Sequence, residues 1–292
     1  MLSELGEHGL LAELARRGLV EGIGDDAAVL EGGVVVTQDA LVEGIHFRLE
    51  WTSWRDLGYK AAAVNLSDLA AACAVPEALV VSLGVALATP LEAVLELYEG
   101  LNEAGVTVRG GDTTRAERLY LSVTAIGRSA RVPGRAGARP GDAVVVTGPL
   151  GAAAAGLRVL ELGLEGHEEL VRAHRRPPFR TDLVEVLGPV AHAVVDLSDG
   201  LATDAGHVAE RSGCRIEIDV ELLPRAPGLE DVGSEPFWTM GEDYELLAAL
   251  APADADALGL PVVGRCVRGS GVRLQRHGEP LDVSGFDHFR HG

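Results

Sequence analysis

Lysine is almost missing from this chain: Lys60 is the only one in 292 residues. Set between Tyr59 and Ala61, it fits neither a G-x-x-x-x-G-K-[ST] phosphate loop nor the strand lysine of a protein kinase, so both are excluded. Cysteine is scarce too. Cys73, Cys214 and Cys266 lie far apart with no C-x-x-C spacing, which argues against a disulfide framework or a zinc site and points to a reducing, cytoplasmic setting. No apolar run reaches the ~20 residues of a membrane span, and Met1-Leu2-Ser3-Glu4 carries no basic segment of a signal peptide. Positive charge is short: 25 basic residues face 44 acidic ones, for a net charge of −19. That argues against nucleic acid or an anionic membrane as partner. A phosphorylated ligand stays open, provided metal ions or local arginines neutralise it. With 47% hydrophobic residues a real core is available, and the length favours two medium domains.

What is abundant is aspartate beside glycine. In Gly22-Ile23-Gly24-Asp25-Asp26-Ala27-Ala28-Val29, adjacent carboxylates stand between a Gly-x-Gly and a short apolar run that reads as a buried strand. Two such charges ~4 Å apart repel by roughly 4 kcal/mol at an effective dielectric of ~20. A hard divalent cation with oxygen ligands relieves that repulsion. The competing reading is a solvated Gly-Asp turn. Val34–Asp39 reads as a strand with Thr37 and Asp39 on one side, followed by the segment of His46. Residues 56–74 read as a helix ending before Pro76, with Asn65 and Asp68 one turn apart near its apolar face. Residues 78–87 suggest a buried strand, 91–104 a helix and 107–109 a short strand. Arg109-Gly110-Gly111-Asp112 then suggests a turn whose N–H groups cup a phosphate, before a strand over 119–127. An arginine-rich linker over 128–140 marks the domain boundary, giving domains 1–136 and 137–292.

The second half begins with a strand over 143–147, a glycine turn and an alanine-rich helix. Asp196 ends another strand, and Ser198 or Asp199 is the expected N-cap of the next helix. Strands over 215–220, 261–267 and 272–275, with one entered from Gly241-Glu242-Asp243-Tyr244, complete an α+β pattern.

Gly24-Asp25-Asp26-Ala27-Ala28, Thr37-Gln38-Asp39, Val42-Glu43-Gly44-Ile45-His46-Phe47, Asn65-Leu66-Ser67-Asp68, Gly110-Gly111-Asp112-Thr113-Thr114-Arg115, Asp196-Leu197-Ser198-Asp199-Gly200-Leu201 and Gly241-Glu242-Asp243-Tyr244-Glu245-Leu246 occur in that order. Together they closely resemble the thiamine-monophosphate kinase family, within the ATP-using superfamily typified by aminoimidazole-ribonucleotide synthetase. The resemblance implies an α+β fold of two domains: an N-terminal α+β domain whose sheet dimerises with its twin, and a C-terminal α/β sandwich. It implies ATP with magnesium between the domains. By motif matching, Asp26, Asp39, Asp68, Asp112, Asp196 and Asp199 bind metal, with Thr37 and Gln38 flanking. Asp39, Asp112 and Asp199 are the implied catalytic set. Gly111, Asp112, Arg135 and Ser198 are the implied ATP contacts, and His46 and Glu242 the implied thiamine-monophosphate contacts. Family members often carry Thr where Gln38 stands. A ring-stacking aromatic aligns with Val283, where Phe286 is the nearby substitute.

Phosphoryl transfer asks mostly for positioning and charge neutralisation. A phosphate monoester acceptor, with second pKa ~6, is largely dianionic at neutral pH and needs no general base. Six carboxylates gathering magnesium suit that need. The alternatives are an aminoimidazole-ribonucleotide synthetase, a selenophosphate synthetase (which expects an N-terminal Cys beside a Lys), a two-metal phosphohydrolase and a calcium-binding structural module. EF-hand spacing is absent, so the last ranks lowest.

Overall fold

The computed structural model describes residues 2–233 and 237–281. Helix α1 (Leu2–Arg16) is broken at Gly6, whose positive φ of 70 is a conformation open to glycine. Then follow β1 (Ala28–Leu30), β2 (Val34–Val42), α2 (Trp54–Ala71), β3 (Val75–Val85), α3 (Leu91–Glu103), β4 (Val108–Arg115) and β5 (Tyr120–Arg128). Five strands form one sheet in the order β1-β2-β5-β3-β4. Every pairing in it is antiparallel except β3 with β4. Along β2, Val35, Thr37 and Leu41 are buried while Gln38 and Ala40 are exposed. This period-2 pattern turns one sheet face toward α2 and α3. Those helices meet at glycines: a Cβ on Gly58 would lie 1.9 Å from Leu97 O, and one on Gly100 1.9 Å from Arg55 O.

The second half comprises β6 (Ala143–Val146), α4 (Ala152–Leu162), α5 (Glu168–Arg175), α6 (Val184–Leu187), β7 (Ala193–Asp196), α7 (Leu201–Ser212) and β8 (Arg215–Asp219). It continues with α8 (Leu229–Val232), β9 (Leu246–Leu250), α9 (Pro252–Leu258), β10 (Val262–Val267), β11 (Gly271–Arg276) and β12 (Glu279–Leu281). Seven strands form a mixed sheet in the order β12-β11-β8-β10-β6-β9-β7. β6, β7 and β9 are buried along their whole length. Such continuous apolar runs are what a sheet covered on both faces requires. Leu150, Val159, Leu201 and Val208 pack on one face. On the other, Leu187 and Ala255 are joined by Ala70, Ala71 and Cys73 from the end of α2.

Helix α2 is therefore shared. Leu57, Ala61, Leu66 and Leu69 belong to the core under the five-stranded sheet, while Ala70 and Ala71 fill the core under the seven-stranded one. Its run of small residues lets two sheets close on a single helix, and that puts Asp68 at the seam.

Four local expectations are corrected. Gly110-Gly111-Asp112 is not a phosphate-cupping turn but part of β4, paired in parallel with β3 from Leu79 to Val85. That ladder satisfies the backbone groups a turn would have left open. β1 is an exposed edge strand, with Val29 and Leu30 each 55% exposed, because only β2 flanks it. Helix α7 has Gly200 as its N-cap (φ 106) with no side-chain cap, so Ser198 and Asp199 remain in the turn before it. β3 also begins earlier than expected and includes Pro76, where a bulge follows and β4 has not yet joined, so no β4 carbonyl lacks a donor.

Candidate active site

Everything at the seam is oriented from α2. Asn65, fully buried, donates Nδ2–H to Ala61 O at 2.9 Å. Its Oδ1 accepts the backbone N–H of Asp39 at 2.9 Å, which fastens the helix to β2 beside Asp39. Thr37, on the same face of β2 as Asp39, donates Oγ1–H to Asp68 Oδ2 at 2.5 Å and lies 3.1 Å from Asp26 O. Ser67 donates Oγ–H to Asp196 Oδ2 at 2.7 Å, linking α2 to the end of β7. Arg135 places Nη2 2.5 Å from Asp26 Oδ1, and its backbone N–H donates to Asp25 Oδ1 at 2.7 Å. Asp26, Asp68 and Asp196 thus each offer a carboxylate oxygen, all within 4.8 Å of one another.

This is an electrostatically unfavourable assembly by itself. Burial, then the charges of Asp39, Asp196 and Asp26, hold the Asp68 carboxyl well above the usual range despite the Thr37 hydrogen bond. Burial and Asp26 push Asp196 up to about 8. Asp26 is raised by burial and pulled back by Arg135. Behind them Asp204, 1% exposed, is raised by burial and by Asp199, whose backbone N–H donates to Asp204 Oδ2 at 3.2 Å. Three oxygen donors with raised proton affinity at one point are the donor chemistry of a hard divalent cation, whose charge would replace the protons.

The other expected site residues divide into near and far. Ser198 and Asp199 sit in the turn after Asp196, and Ser198 O accepts the Glu242 backbone N–H at 2.9 Å. Gly241 fits there because a Cβ on it would lie 2.2 Å from Ser198 O. Glu242 has a left-handed backbone (φ 59). Its carboxylate meets Lys60 Nζ at 2.8 Å and His174 Nδ1 at 3.2 Å. His46 accepts the Val42 backbone N–H on Nδ1 at 2.9 Å, so the neutral ring carries its proton on Nε2.

Two residues are not brought together with the carboxylates. Gln38 alternates to the opposite sheet face from Thr37 and Asp39. Its Nε2–H donates to Ser122 Oγ at 2.7 Å, and its Oε1 accepts from Thr124 Oγ1 at 3.3 Å. Asp112 is exposed on β4, in the row running through Ser82 and Ser122 to Ala40, with Gly111 one row over. Three strand spacings separate β4 from β2, about 14 Å. Val283 and Phe286 lie outside the described residues. Ser67, Lys60, His174 and Asp204 escaped sequence reasoning as site residues. A lone lysine on a helix of small apolar residues was the one available signal.

Residues 24–129 match the family model for the AIR synthase related protein N-terminal domain, and residues 139–264 match that for its C-terminal domain. The chain is 35% identical to the thiamine-monophosphate kinase of Aquifex aeolicus, covering 99% of each chain. It is 37% identical to that of Salmonella typhimurium, covering 97% of this chain and 98% of the relative. The chain belongs to the thiamine-monophosphate kinase family. Among solved structures, AaThiL complexed with AMPPCP and TMP superposes with a TM-score of 0.92 at 33% identity, covering 99% of this chain and 98% of the other. Both family domains therefore meet along α2, where the carboxylates converge. Among the described residues no helix is long and apolar enough to cross a membrane.

Proposed function

We propose that this chain transfers the terminal phosphoryl group of ATP to thiamine monophosphate, giving thiamine diphosphate and ADP by direct in-line transfer. The observation that carries this reading is the convergence of Asp26, Asp68 and Asp196 at the seam of the two domains, in a member of this kinase family. These three residues would hold magnesium, with Asp39 and Asp199 beside them as the remaining carboxylates of the reacting centre. Bound magnesium supplies neutralisation of phosphate charge. Thr37 and Ser67 keep the Asp68 and Asp196 oxygens aimed at that point through their hydrogen bonds. Arg135 offers a guanidinium to ATP phosphates once Asp26 turns to a cation. Gly111 and Asp112 are assigned to ATP along the edge of β4, which among the described residues pairs with a strand on one side only. Gln38 is left out of the cation set because its side chain faces away. His46 and Glu242 are assigned to the thiamine end of the acceptor.

No base is needed, since an acceptor monoester with pKa ~6 is already ionised. Nor does a nucleophile relay suggest itself: His46 uses Nδ1 to accept a backbone N–H. The same reading carries a homodimer joined through the five-stranded sheet, a cytoplasmic location, and a division of the chain between residues 136 and 137.

The deciding assay incubates purified protein with ATP, magnesium and either thiamine or thiamine monophosphate, then separates the thiamine species. Thiamine diphosphate should form from the monophosphate alone, because the alcohol of thiamine has a far higher pKa and meets no base. Phosphorylation of thiamine, or a phosphoprotein competent to pass its phosphate on, contradicts this mechanism. ADP release independent of acceptor marks a phosphohydrolase instead.

A further inference from the structure

We propose that Lys60 and His174 are positioning residues that grip the Glu242 carboxylate from both sides and present its open edge to the ring portion of thiamine monophosphate. This rests on the assignment of Glu242 to the acceptor made above.

Burying the chain's only lysine needs a reason. Lys60 is 3% exposed and His174 9%. Among the described residues, neither Lys60 Nζ nor His174 Nδ1 has an aligned hydrogen-bond acceptor. Each makes one charge-bearing approach, and both converge on Glu242: Lys60 Nζ to Oε1 at 2.8 Å, His174 Nδ1 to Oε2 at 3.2 Å. Lys60 comes from α2 of the first domain, His174 from α5 of the second, and Glu242 from the turn before β9. Stability is a poor explanation, because buried ion pairs are often no better than apolar side chains of the same size.

Glu242 is gripped but not sealed. Its side chain keeps 30% of its surface exposed, with both oxygens already oriented. The backbone beneath is held in place as well. Glu242 and Tyr244 are both left-handed (φ 59 and 49). Their N–H groups donate to Ser198 O at 2.9 Å and Leu197 O at 3.0 Å, so the turn is locked to the segment carrying Asp199. Lys60 and His174 also line a small cavity with Phe47 and Trp51, from the segment that carries His46; Glu242 does not line it. A fixed, partly open carboxylate suits a ligand that carries an amino-substituted ring. The carboxylate accepts from the amino group and loses no rotamer freedom on binding.

The test measures KM for thiamine monophosphate and for ATP, with Tm, in Glu242→Gln, Lys60→Met, Lys60→Arg, His174→Gln and the double variant Lys60→Met/Glu242→Gln. Lys60→Met should raise KM for thiamine monophosphate about tenfold, the scale of one charge-assisted hydrogen bond, and leave KM for ATP within about twofold. Lys60→Arg should recover most of the loss, His174→Gln should show the same selectivity more weakly, and the double variant should be no worse than the poorer single. If Lys60→Met does not fold, His174→Gln carries the same comparison. Equal rises in both KM values, or a fall in Tm alone, overturn the proposal. An unchanged KM in Glu242→Gln removes the assignment of Glu242 to the acceptor. A raised KM in Glu242→Gln beside an unchanged one in Lys60→Met and His174→Gln overturns only the clamp.

Discussion

Replacing Asp68 with asparagine should stabilise the cation-free protein while abolishing its response to magnesium and nucleotide. The oxygens of Asp26, Asp68 and Asp196 lie within 4.8 Å of one another, so each charged pair repels by at least about 3.5 kcal/mol at an effective dielectric of ~20. A second route gives a ceiling. If the folded protein keeps Asp68 protonated at pH 7 against an ordinary value of 3.8, the proton uptake costs at most about 4 kcal/mol. Asparagine avoids that cost and still accepts from Thr37, so about 3 kcal/mol should return, raising Tm by roughly 6–12 °C. The sign with pH follows from linkage. A carboxyl raised on folding means the folded state binds more protons than the unfolded one, so stability is full below about pH 4 and falls as pH rises. For Asp196 that fall extends through about pH 8. Thermal melts in chelator at pH 5 and pH 8 should therefore show a larger drop for the native chain than for Asp68→Asn. Magnesium with a non-hydrolysable ATP analogue should stabilise only the native chain. A Tm for Asp68→Asn several degrees below native in chelator at pH 8 would refute the argument, because the charge would then be supporting the fold.

Further outcomes follow from individual contacts. Arg135→Ala leaves the Asp26 carboxylate, 3% exposed, without its cation; cation-free stability should fall by about 3 kcal/mol, less once magnesium is added, and KM for ATP should rise more than KM for thiamine monophosphate. Gly58→Ala sets a Cβ 1.9 Å from Leu97 O, so α2 and α3 must separate, at a cost of about 1–3 kcal/mol or more, readable by urea denaturation. Ala71→Leu overfills the fully buried site where α2 meets the seven-stranded sheet; its melt should shift down by a similar free energy, and a native melting curve would mean that this contact is loose.

Much of the site was legible because ligands and turns impose short, local patterns. Glycines beside aspartates, an Asn-x-x-Asp one helical turn apart and an Asp-x-x-Asp after a strand form short motifs, and the family resemblance they carry named Asp26, Asp68 and Asp196, whose carboxylate oxygens lie within 4.8 Å of one another. The strands over 143–146 and 246–250 were likewise visible as runs of apolar residues. Strand pairing is not local. Whether Arg109-Gly110-Gly111-Asp112 bends or extends depends on β3 lying alongside to take its hydrogen bonds, and nothing within those four residues states that. The same applies to Gln38, one residue from two site side chains yet facing Ser122 and Thr124 across the sheet. Composition alone identified Lys60 as singular, but not its partner: Glu242 stands 182 positions later in the chain, and only the closing of two sheets on one helix brings them to 2.8 Å. Sequence determines which charges exist and which backbone can bend beside them. The burial that makes those charges repel, pair or seek a cation is a property of surfaces from distant segments, and exists only once both domains have packed on α2.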